Sequence, residues 1–103
     1  MRQIVKDAWE KLKLVIEETE NYRKVILFGS QAKGTADLMS DVDLAIVCAD
    51  INKIDRTPVA WIVSEFLTKF DIIYTTEERL NSADKWSDVN YWIKKEGVVL
   101  WQR

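Results

Sequence analysis

The chain of 103 residues has no histidine, one cysteine and one proline. Without histidine there is no intrachain imidazole base, and most zinc sites are excluded. With Cys48 alone, no intrachain disulfide can form. Nothing near it in sequence would activate a thiolate, so it is expected to be an inert buried residue. No apolar run approaches the roughly 20 residues needed to span a bilayer. Met1 to Asp7 is mixed in charge and has no signal-peptide core, so the expected location is cytoplasmic. An excess of either charge is also lacking. Fifteen Lys and Arg against seventeen Asp and Glu leave a net charge of −2. That gives no overall attraction to nucleic acid or to an anionic membrane, and neither is expected as a partner. Chemistry is left to carboxylates, hydroxyls, lysines and a hard metal ion.

What is present suits a soluble globule: 48% apolar and 31% charged residues. The length fits one domain over residues 1–103. Residues 2–20 place Ile4, Val5, Ala8, Trp9, Leu12, Val15 and Ile16 on one helical stripe. Asn21 and Tyr22 break that pattern, and Lys24 to Phe28 is read as a first strand. Residues 29–40 hold two of the three glycines and form a loop, with or without a short helix. Asp41 to Cys48 is apolar on both alternating sets, as in a strand buried on both faces. Thr57 and Pro58 open a helix, Thr57 as its cap, that runs to about Lys69. Its buried stripe is expected at Val59, Ile62, Val63, Phe66 and Leu67. Asp71 to Tyr74 is a third strand. Thr75 or Thr76 then caps a helix through Trp86, Val89, Trp92 and Ile93, which ends near Gly97. Val98 to Trp101 is a final strand or extended tail. Helices alternating with strands predict an α/β or α+β fold, a small mixed sheet with flanking helices.

The densest signal lies between Phe28 and Val47. Gly29 and Ser30 follow a strand, ten residues intervene, and Asp41 and Asp43 open the next strand. Two residues apart on a strand, these carboxylates point to one face with Cα atoms roughly 6–7 Å apart. Both can reach one divalent ion, or bridge two ions roughly 3.5–4 Å apart. Asp71 joins them if its strand pairs with theirs. Like charges so close need a cation. Magnesium favours a few carboxylates plus substrate phosphates. Glycine lets backbone approach a phosphate closely, Ser30 adds a hydroxyl, and Lys33 adds a point charge. Asp-x-Asp alone would be read as a strand cap and a surface residue. Its distance from Gly-Ser favours a site for a metal-bound triphosphate.

This order of strand, Gly-Ser, ten residues, Asp-x-Asp, helix, and strand opening with Asp resembles the DNA polymerase beta-like nucleotidyltransferase superfamily. Its length makes it similar to the minimal nucleotidyltransferase (MNT) domain, the antitoxin of HEPN/MNT toxin–antitoxin pairs. The resemblance covers roughly residues 22–101, with residues 1–20 as an added helix. It implies that Asp41, Asp43 and Asp71 are the catalytic, metal-binding aspartates. It also implies that Gly29, Ser30 and Lys33 bind the nucleotide, with one or two Mg2+ ions as cofactor and ATP as substrate. Many relatives carry arginine directly after Gly-Ser, where this chain has Gln31. The implied reaction moves a nucleoside monophosphate to a hydroxyl, and the implied acceptor is a tyrosine on a helical HEPN partner. A non-catalytic antitoxin that neutralises a helical partner by binding is the alternative from another class. Transfer to a small molecule is a third reading, disfavoured by the lack of an acceptor-binding domain. A homodimer is possible. Of the five tryptophans, most are expected in the core, with one or two at an interface on the first or last helix.

Overall fold

In the computed structural model, residues 2–36 and 41–103 are described. The elements run α1 (Gln3–Glu18), β1 (Tyr22–Phe28), α2 (Gly29–Lys33), β2 (Val42–Cys48), α3 (Thr57–Val63), β3 (Phe70–Thr75), α4 (Glu77–Ser82), α5 (Val89–Glu96) and β4 (Val98–Gln102). The strands form one sheet in the order β3-β2-β1-β4. β1 is antiparallel to both β2 and β4, and β2 is parallel to β3. This is the mixed sheet with flanking helices that the sequence predicts.

β2 is the centre of the packing. Val42, Leu44, Ile46 and Cys48 join one apolar cluster, with Val5, Leu12 and Ile16 of α1 and Val59 of α3. Ala45 and Val47, on the other face, join a second cluster with Leu80 of α4 and Ile93 of α5. Apolar residues on both alternating sets of β2 are therefore needed, because each face meets a helical layer. Burial of a Val, Leu or Ile side chain contributes about 1.5–3 kcal/mol, so β2 is a large contributor to the fold.

Several boundaries depart from the sequence-based expectations. β1 begins at Tyr22 rather than Lys24. Tyr22 is buried, and its ring lies 6.1 Å from that of Tyr74. α3 begins after Arg56, so Thr57 is inside the helix rather than its cap. α3 also ends at Val63 instead of reaching Lys69. Val59 is buried, but Leu67 is fully exposed, and Phe66 packs edge-on against Phe70. The chain must turn back there so that β3 can lie parallel to β2.

The single helix expected through Trp86 to Ile93 is two helices, α4 and α5. Side-chain caps start both: Thr76 Oγ1 accepts from Arg79 N–H, and an Asp88 carboxylate oxygen accepts from Asn90 N–H. The Asp88 cap competes with a continuous helix and wins. Gly97 does close α5, with extended backbone rather than a left-handed turn. Glycine is needed there for space, since a Cβ would collide with Ile26 Cγ2 and the Ile93 carbonyl. Val98 to Gln102 is a true strand, paired with β1.

Candidate active site

The register of β2 and β3 does most to build the site. Asp43 lies directly opposite Asp71 in the parallel pair. Asp41 is one residue before β2, at the same end of the sheet. Asp41 and Asp43, and Asp71 from a distant part of the sequence, thus share one sheet end, where two neighbouring strands begin. All three are partly exposed.

Their proximity is visible in their electrostatics. The Asp43 carboxyl is pushed above the usual carboxylate range, first by burial, then by the like charges of Asp71 and Asp41. Lys69 opposes the shift. Its ammonium lies 3.9 Å from Asp41 Oδ2 and 3.7 Å from Asp71 Oδ1. As the side chains stand, no three acidic or thiol groups among the described residues are gathered tightly enough to hold a metal ion. The donor chemistry nevertheless fits a hard divalent cation: oxygen ligands only, on one sheet end, with excess negative charge.

Gly29 opens α2 at φ +72°, in the left-handed region that favours glycine. A Cβ there would run into the Asp43 carboxylate. The Gly-Ser turn and the second aspartate of Asp-x-Asp are therefore in contact, although thirteen positions separate Ser30 from Asp43. Ser30 follows, half-buried, in the first turn of α2. Gly34, at φ +74°, closes this five-residue helix. Residues 37–40, the end of the expected loop, lie outside the described residues.

Lys33 does not extend freely beside this turn. Its ammonium is 2.9 Å from Glu96 Oε2 at the end of α5. Gln31 is buried at 6% exposure. Its Nε2 has no hydrogen-bond partner among the described residues. Among the described residues, the cation paired with these carboxylates is Lys69, which sequence reasoning did not single out. Its position directly before Phe70 and Asp71 was the available signal. An expected helix running to Lys69 hid it.

A family profile described as polymerase beta, nucleotidyltransferase, matches residues 10–103. No curated protein sequence matches the chain. Among solved structures, a toxin–antitoxin with AMP-PNP is similar at 25% identity and a TM-score of 0.66. The match covers 94% of this chain and 74% of that one. The toxin–antitoxin MntA-HepT is similar at 22% identity and a TM-score of 0.58, covering 96% of this chain and 73% of that one. A third similar structure is tri-AMPylated Shewanella oneidensis HEPN toxin in complex with MNT antitoxin. That match has 20% identity and a TM-score of 0.58, over 98% of this chain and 74% of that one. The last two likenesses show the fold. With the profile covering nearly the whole chain, the protein belongs to the polymerase beta nucleotidyltransferase family.

Proposed function

We propose that this chain is a magnesium-dependent nucleotidyltransferase that moves AMP from ATP to a hydroxyl on a protein partner, a HEPN-type toxin, and so acts as its antitoxin. The observation that carries this reading is the pairing of Asp43 with Asp71, with Gly29 packed against Asp43. Support for the nucleotide and the acceptor comes from the similar toxin–antitoxin with AMP-PNP and from the tri-AMPylated HEPN toxin bound to MNT antitoxin.

Asp41, Asp43 and Asp71 would hold one or two Mg2+ ions. Bound there, magnesium supplies Lewis-acid charge that offsets the carboxylates and the triphosphate. Gly29 lets the turn pack directly against the Asp43 carboxylate, and the backbone of that turn and the Ser30 hydroxyl would bind the triphosphate. Lys33 would add positive charge after exchanging Glu96 for phosphate. Asp71 orients the acceptor hydroxyl and takes its proton. A bond forms between the acceptor oxygen and the α-phosphorus, the α–β bridging bond breaks, and pyrophosphate leaves. Positioning and preorganised charge supply most of the acceleration.

The test uses ATP labelled at the α-phosphate, magnesium, the chain and a HEPN partner. Label should appear on the partner and be lost by at least about a hundredfold in Asp43→Asn. Undiminished labelling by that variant sinks the proposal. A second reading, neutralisation by contact alone, is favoured by the exposed Trp61 and Trp86. It wins if an Asp41→Asn/Asp43→Asn/Asp71→Asn chain still silences the partner.

A further inference from the structure

Lys69 is placed by backbone as well as by charge. Its carbonyl accepts a hydrogen bond from Val42 N–H at 2.9 Å. That bond ties the residue before β3 to the first residue of β2. The side chain therefore rises from the junction where Asp41 and Asp71 diverge. Its ammonium is within ion-pair distance of both, 3.9 Å and 3.7 Å. It is the one lysine or arginine among the described residues paired with any of the three carboxylates. The lysine side chain is 70% exposed, so water can take it up when it leaves.

The same two carboxylates cannot serve an ammonium and a divalent cation equally well. Each oxygen turned to Lys69 is an oxygen not turned to a shared ion, and the three carboxylates do not converge as they stand. Exposed ion pairs at such distances are individually weak, which makes this one displaceable. We propose that Lys69 is a built-in counter-ion that competes with the divalent cation for Asp41 and Asp71, and so sets how much cation the site requires. The inference rests on the metal-site reading above and adds a residue that regulates it. Lys69 holds the like charges together when cation is scarce. It yields when a doubly charged ion, with its stronger Coulomb attraction, arrives.

The test is a titration of magnesium chloride into the native chain, Lys69→Met and Lys69→Arg, followed by calorimetry at constant ionic strength. Thermal melting in EDTA and in magnesium is run alongside. Methionine keeps much of the apolar stem and removes the charge. Lys69→Met should bind Mg2+ roughly five- to tenfold more tightly than the native chain. It should also melt lower than the native chain in EDTA, so that the gain from magnesium widens. Lys69→Arg should bind Mg2+ no more tightly than the native chain, because a guanidinium also bridges carboxylates. If the native chain binds Mg2+ and Lys69→Met binds it equally or less tightly, the role of Lys69 is overturned while the metal site stands. If neither binds, both readings fall. Binding by Lys69→Met alone supports the competition in its strongest form.

Discussion

At the residue scale, the carboxylate cluster costs stability. Asp43 is held above its ordinary pKa by burial and by Asp71 and Asp41. For a carboxyl raised in the folded state, the folded form is favoured at pH below the unfolded value. That advantage is lost as pH rises through the folded value. At neutral pH the ionised group therefore works against folding. Asp43→Asn should stabilise the metal-free chain by about 0.5–1 kcal/mol while removing transfer. Urea unfolding in EDTA checks this, and a less stable variant contradicts it. Cys48 makes the opposite kind of case, a buried group with no chemistry to do. Burial pushes its thiol up to about 11. Its contribution to stability is whole below the unfolded pKa of roughly 8.5 and is lost as pH rises through 11. Between those values the native chain should lose about 2–3 kcal/mol more than Cys48→Ala. Denaturant melts at stepped pH measure the difference.

At the element scale, Arg103, just past β4, is tied to the end of α1. Arg103 Nη2 donates to the carbonyls of Ile16, Glu17 and Thr19, and Nε donates to Tyr22 O. These include carbonyls that the end of α1 leaves unsatisfied, and a cation there also suits the helix dipole. Arg103→Ala should cost about 1–2 kcal/mol, and hydrogen exchange should show fraying confined to the last turn of α1. Uniform loss of protection would contradict this cap. Gly97 limits the opposite end of β4. Adding a methyl there forces Ile26 and the end of α5 apart. Gly97→Ala should destabilise by about 1–3 kcal/mol in thermal or denaturant melts. Glycine here serves packing, so the expected C-cap stands at the expected residue for a different physical reason.

At the scale of the whole molecule, the thin dimension is 19 Å against 33 and 30 Å. So thin a body leaves many large side chains at the surface. Trp61 and Trp86 are 75% and 76% exposed, while Trp9 and Trp101 pack against the larger apolar cluster. The sequence predicts most of the five in the core and one or two at an interface on the first or last helix. Three are instead exposed: Trp61 on α3, Trp86 between α4 and α5 in the stretch expected as the last helix, and Trp92, 37% exposed, on α5 itself. Acrylamide should quench an accessible fraction that falls sharply in Trp61→Phe/Trp86→Phe, leaving the part due to Trp92, with stability changed by no more than about 0.5 kcal/mol for each of these two substitutions. A fully protected emission would contradict the exposed positions.

The sequence alone determined the elements that depend on local chemistry. The stripe of α1, the doubly apolar β2 and a threonine cap at position 75 or 76 each follow from periodicity or from a hydrogen bond a few residues long; the structure selects Thr76. Asp41 and Asp43 were legible as a pair because a strand alternates every two residues. Tertiary structure decided which distant groups meet. β3 lies parallel to β2 with Asp71 opposite Asp43, and a one-residue slip in that register would have sent Asp71 to the other face. The same return of the chain cut α3 short, exposed Leu67 and brought Lys69 between two carboxylates. Likewise, the packing of α2 against its neighbours buried Gln31 and gave Lys33 to Glu96. These outcomes depend on loop closure and on burial across the sheet, which no short window of residues records.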